Sequence, residues 1–95
     1  MLTGLAYLHL LAGRDAEGLR NAQQARQELP SYPSAQRAQA IALVRLGRIE
    51  EARDSAQDVL TLEPSFTVAS WPGIFRDRAF MESGRAALRA AGIPD

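Results

Sequence analysis

Apolar residues in this chain fall in short clusters at helical spacing, parted by glycine and proline. Leu2, Leu5, Leu8, Leu10 and Leu11 crowd the first dozen positions. Ile41, Leu43 and Leu46 share one broad face of a later segment, and Ala52, Ala56, Val59 and Leu60 recur at helical spacing beyond it. Near the end, Phe80, Met81, Gly84, Ala87, Leu88 and Ala91 point one way, while Arg78, Glu82, Arg85 and Arg89 point the other. The pattern predicts helices over about Leu2–Ala12, Asp15–Glu28, Pro33–Leu46 and Ile49–Leu62. It then predicts a short helix over Phe66–Trp71, a bend at Pro72-Gly73, and a last helix from the Asp77 cap to about Ala91. Gly13, Gly47 and Gly92 are the expected stops, because glycine adopts positive φ without strain. Asp15 is the expected N-cap of the second helix, and Ser31 or Ser34 that of the third.

The chain also repeats itself. At an offset of 34 residues, nine positions coincide between residues 1–35 and 35–69: Ala6/Ala40, Gly13/Gly47, Arg14/Arg48, Glu17/Glu51, Ala22/Ala56, Gln23/Gln57, Pro30/Pro64, Ser31/Ser65 and Ala35/Ala69. The matches fall on turn glycines, small interior residues and boundary prolines. A period of this length signals stacked helix-turn-helix units. The expected architecture is therefore all-α: an α-α superhelix of two helical hairpins, a short helix and a C-terminal closing helix. One domain spans residues 1–95, with repeat one at about 1–32, repeat two at about 33–66 and a closing unit at 67–95. Atypical terminal units are usual in such stacks, since the last one must cover an apolar face without exposing another.

Charge and composition narrow the function. Eleven arginines balance eleven acidic residues, and there is no lysine. A neutral chain offers no electrostatic case for nucleic acid or an anionic membrane. The all-arginine usage fits genomic base composition, given the wealth of alanine, better than phosphate recognition. Without cysteine there is neither a disulfide nor a thiolate metal site, which fits a cytoplasmic location. The leucines of the first segment lack the basic flank of a secretion signal, and no apolar run approaches the roughly 20 residues that a membrane span requires.

The segment Leu46-Gly47-Arg48-Ile49-Glu50-Glu51-Ala52 resembles the inter-helix turn of the tetratricopeptide repeat family. Ala40 and Ala52 stand in that family's small-residue slots, and Leu62-Glu63-Pro64 is similar to its closing motif. In the first copy Gly18 takes the place of Ala52, and Leu29-Pro30 that of Glu63-Pro64. Leu43 and Ala56 fill aromatic slots, and Gln36 and Gln39 occupy positions that are more often apolar. The tail, with Leu62-Glu63-Pro64-Ser65-Phe66, Phe75-Arg76-Asp77 and Leu88 to Asp95, resembles the C-terminal end of long bacterial signalling proteins. Those carry such repeats after an adenylate/guanylate cyclase or winged-helix domain. That likeness implies a fragment of a longer protein.

The repeat resemblance implies a non-enzymatic interaction module that binds a peptide or helix in a concave groove. The implied groove positions are Thr3, Tyr7, Leu10 and Leu11, then Arg37, Ile41, Val44 and Arg45, then Trp71 and Phe75. Of these, Tyr7, Leu10, Arg37, Ile41, Val44, Arg45 and Trp71 are the expected partner-binding residues. Aromatics with arginine are typical of such surfaces. The family's Lys/Asn clamp for peptide carboxylates is absent. No catalytic residue, cofactor or metal ligand is expected. His9, the sole histidine, sits where the second copy has Leu43, an inward slot, and has no ligand set beside it. Glu50, Asp54 and Asp58 share one helix face, best read as a solvated ridge eased by neighbours such as Arg53. The partner is expected to be a protein or peptide, not nucleic acid or membrane. Solenoids expose an adhesive edge where a terminal unit is missing, so the leucine-rich N-terminal edge is expected to be covered, either by a lost N-terminal region or by self-association. The rival reading is a regulatory or structural C-terminus of a cyclase-type signalling protein with no ligand of its own.

Overall fold

The computed structural model describes residues 2–71 and 77–95. Five helices form in order: α1 (Leu2–Leu11), α2 (Asp15–Glu28), α3 (Pro33–Arg45), α4 (Ile49–Leu62) and α5 (Arg78–Ala90). No strand occurs among the described residues. The expected bend at Pro72-Gly73 and the groove position Phe75 lie outside them.

The sequence repeat is a backbone repeat. Gly13 has φ +80° and Gly47 φ +78°, and both end their helix in the same way. The Arg14 amide donates to His9 O at 2.8 Å and the Gly13 amide to Leu10 O at 3.1 Å. The Arg48 amide donates to Leu43 O at 2.8 Å and the Gly47 amide to Val44 O at 2.9 Å. These crossed bonds satisfy carbonyls that the helix end leaves without a partner. The next helix starts at once, from Arg14 (φ −92°, ψ 70°) and Arg48 (φ −96°, ψ 67°). Asp15 is therefore not the N-cap. The two-residue connection spends Arg14 on both the stop and the start, and Asp15 becomes the first helical residue, where its charge still suits the helix N-terminus. Likewise neither Ser31 nor Ser34 caps α3: Tyr32 holds that position, and Pro33 fills the first turn, where its missing N–H costs nothing.

Alanines and glycine make the hairpins thin. Ala6, Ala22, Ala40, Ala52 and Ala56 are all buried. At Gly18, an added Cβ would lie 3.0 Å from Leu10 Cδ2 and 3.1 Å from the Ala6 carbonyl. The second hairpin has Val44 and Ala52 at the equivalent positions. A larger residue on one helix is thus matched by a smaller one on the other. Leu46, expected to share a face with Ile41 and Leu43, is instead the exposed C-cap of α3.

α2 packs along α1 and α3, and α3 packs along α4. A continuing stack would place the next helix along α4 as α3 lies along α2. It does not: α5 packs on α3 and makes no comparable contact with α4. The chain folds back over its own second hairpin, and the molecule measures 30 × 28 × 24 Å instead of growing along a stack axis. The short helix expected over Phe66–Trp71 does not form. Thr67 and Ser70 close a turn, the Ser70 hydroxyl donating to Thr67 O at 2.8 Å and accepting from the Thr67 amide at 2.9 Å. Such local side-chain bonds compete with a helix, and Pro72 disfavours a helical Trp71. From this turn the Val68 amide donates to Pro94 O at 2.8 Å, tying the tail back to the chain's end. Asp77 does cap α5, accepting from the Phe80 amide at 3.0 Å. Gly92 (φ +104°) closes it with the motif seen at Gly13, the Ile93 amide donating to Leu88 O at 3.0 Å.

Candidate interaction surfaces

The groove expected on α1 and α3 is filled by the protein itself. Arg37, Ile41 and Arg45 stand at i, i+4 and i+8 on α3, so they share one stripe. The Arg37 guanidinium lies 5.0 Å over the Phe66 ring and pairs with Glu63, leaving its side chain 12% exposed. Arg45 lies 5.9 Å over Phe80 on α5, with its Nε 3.0 Å from Asp15 Oδ1. Between them Ile41 is buried. Both guanidiniums thus spend their flat faces on rings and their charge on carboxylates of this chain.

Trp71 and Tyr7 complete the plug. Their ring centroids lie 6.5 Å apart with planes tilted by 35°, and both residues are buried. The Trp71 ring runs beneath α5 at Gly84, where an added Cβ would come within 2.4 Å of it. Burial pushes the Tyr7 phenol above its ordinary pKa, although the positive charge of Arg37 works the other way. Leu10 is wholly buried, and Val44 is half-buried. The structure therefore gathers six of the seven expected partner-binding residues (Tyr7, Arg37, Ile41, Val44, Arg45 and Trp71) around α3 and the tail that covers it, with none on an open surface. Leu10 belongs to the α1–α2 crossing, against Gly18.

Phe66, Phe80, Glu63 and Asp15 take up these side chains, and sequence reasoning did not assign them that task. Gly84 was a legible signal: a glycine on the inward face of an amphipathic helix asks for a bulky neighbour. Nothing in the sequence says that the neighbour is Trp71.

The remaining candidates behave as solvated or structural groups. His9 is half-buried at the α1–α2 turn rather than inward. Arg14 Nε donates to its Nδ1 at 3.1 Å, and Glu17 Oε2 lies 3.5 Å from the same guanidinium nitrogen. In the ridge, Glu50 and Asp54 are exposed, and Asp58 pairs across to Arg26 of α2. Gln36 and Gln39 are buried in α3, donating to Pro30 O at 3.3 Å and to Ser55 Oγ at 2.9 Å. Among the described residues no set of three His, Asp or Glu side chains is placed to hold a metal ion, and no helix is long and apolar enough to cross a membrane.

The apolar surface left open lies elsewhere. Leu5, Leu8 and Leu11 are exposed along α1. At the far end of the hairpin, Leu2, Ala25, Leu29 and Tyr32 line a recess of about 220 Å³. The chain matches no family model, no curated protein and no solved structure.

Proposed function

We propose that this protein is a non-enzymatic interaction module of tetratricopeptide type, acting in the cytoplasm, whose groove takes a partner helix or peptide. The observation that supports this reading is α5 itself. An amphipathic helix packs on α3 and sets Phe80 against Arg45 of the stripe, which supports a concavity able to hold one. A partner would take the place of α5. It would present an aromatic to Arg45 as Phe80 does now, while Asp15 of α2 and Glu63 at the end of α4 keep their pairs with Arg45 and Arg37.

The test is to lock the tail in place. The Val68–Pro94 backbone bond brings those positions close enough for an engineered disulfide, and the chain has no other cysteine. Proteins captured from the native host by the reduced form should be lost from the oxidised form. Equal capture by both forms would remove the groove as the binding site.

The filled groove also favours a second reading. If the tail never leaves, the fold serves as a structural or regulatory C-terminus, as the resemblance to bacterial cyclase-type signalling proteins implies. An in-frame catalytic or winged-helix region upstream of Met1, with no protein captured by either form, would support that reading.

A further inference from the structure

The outer face of α1 is uncovered where its counterpart in the second hairpin is not. At the 34-residue offset, Leu5 and Leu8 correspond to Gln39 and Ala42 of α3. Gln39 is 8% exposed and Ala42 fully buried, with α2 lying along α3. Leu5 and Leu8 are 44% and 58% exposed. The open face is thus more apolar than its covered twin, against the usual direction for a soluble surface. From these observations we propose that α1 pairs with α1 of a second copy of this chain, in a closed two-fold dimer with Leu8 on the axis.

The pattern on α1 fits that occupant. Its exposed residues from Leu2 to Ala12, before the exposed Gly13 and Arg14 at its edge, are Gly4, Leu5, Leu8, Leu11 and Ala12. That set is symmetric about position 8. A two-fold axis through Leu8 sets Leu8 on its own copy, Leu5 against Leu11, and Gly4 against Ala12. Gly4, Leu8 and Ala12 form an i±4 row, the ridge used in the commonest helix crossing, and the small residues at its ends let the backbones approach. No charged residue lies between Leu2 and Ala12 to be buried unpaired.

The other end of the stack cannot supply the mate. The outer side of α4 exposes Glu50, Arg53, Asp54, Gln57 and Thr61. Seating leucines there would strip water from charges without pairing them. Head-to-tail growth into a filament is therefore disfavoured, and of the surfaces of this chain a second α1 is the better mate. The interface is one helix wide, less than the roughly 800 Å² per partner of a standard complex, so the dimer is weak, with a dissociation constant on the order of micromolar or above.

Of this face only Leu11 was an expected groove position, and the dimer is read by oligomeric state where the groove is read by capture, so either proposal can fail without the other. Sedimentation equilibrium of the full chain from about 10 μM to 1 mM should show a monomer–dimer equilibrium with no larger species. Leu8→Glu should shift it at least tenfold toward monomer while keeping the helical circular dichroism. Because the chain lacks cysteine, Leu8→Cys should give a covalent dimer on mild oxidation, and Arg53→Cys on α4 should not. A wild-type protein that stays monomeric at 1 mM, grows without limit, or cross-links equally from both positions would overturn the proposal.

Discussion

The two hairpins and the C-terminal unit are held by different means. In the hairpins the backbone sets the geometry. Gly13 and Gly47 share one conformation, Arg14 and Arg48 another, and the amides of Leu29 and Glu63 close α2 and α4 onto Ala25 O and Val59 O. Alanine is the commonest buried side chain between them. In the C-terminal unit large side chains decide the arrangement: Phe66, Trp71 and Phe80 reach back to Arg37, Tyr7 and Arg45. Alanine-lined helices dock wherever their turns aim them. Aromatic residues dock where a complementary hole exists, and here the hole is on α3, not along α4.

If that contrast is right, losing the central aromatic should undo the tail and leave the hairpins. Trp71→Ala removes a buried indole and should cost about 3–5 kcal/mol in urea unfolding, a large share of what a chain of this size holds. Amide exchange should speed up first in α5, with α1–α4 protected for longer. Uniform loss of protection across all five helices would show that tail and hairpins are one cooperative unit.

Gly84→Ala probes the same contact from the other side. Its methyl would fall within 2.4 Å of the Trp71 ring. The ring must move, at a cost of about 1–3 kcal/mol. Combining it with Trp71→Phe should cost less than the sum of the two single changes, because the smaller ring leaves room for the methyl. Strict additivity would mean that the two residues do not share a contact.

What the sequence displayed follows the same division. Local chemistry was readable: glycine stops, the period of 34, the Asp77 cap and the helix bounds to within a residue. Asp15 was assigned one position too early, because a two-residue connection reuses Arg14 for two purposes, and spacing alone does not reveal that economy. The Phe66–Trp71 helix failed because the Thr67–Ser70 side-chain bonds and Pro72 outweigh a weak helical tendency. The groove residues were assigned to one stripe, and Arg37, Ile41 and Arg45 do share it. What covers that stripe depends on the long-range docking of α5, and a period that stops at Pro64 carries no information about where the next helix goes.

The hairpin side of the comparison is tested by Gly13→Ala and Gly47→Ala. Neither site has an atom within 4 Å of an added Cβ, so the cost is the left-handed backbone alone, about 1–2 kcal/mol at each. Equal losses in thermal unfolding are expected. A difference beyond about 0.5 kcal/mol would mean that the two turns, alike in geometry, sit under different tertiary loads.

The smallest effect separates the hairpins from each other. Arg48 grips Glu51 with two bonds, from Nε at 2.6 Å and from its terminal nitrogen at 2.8 Å. In the first hairpin Arg14 donates its Nε to His9 instead, and Glu17 stands off at 3.5 Å. The grip holds the Glu51 carboxyl below its ordinary pKa. A carboxyl lowered in the folded state adds stability above its unfolded pKa and loses it as pH falls through the folded one, so any contribution vanishes in acid. The pair is fully exposed, and solvent screening leaves little of it in the unfolding free energy. The readout is therefore the carboxyl itself. A carbon-detected NMR titration should find Glu51 ionising at lower pH than an ordinary glutamate. Arg48→Ala should move it back up, while the unfolding midpoint at neutral pH stays nearly unchanged. A Glu51 titration that ignores the loss of Arg48 would show that the two-bond contact does not persist in solution, and that the two turns are equivalent in their side chains as well as in their backbones.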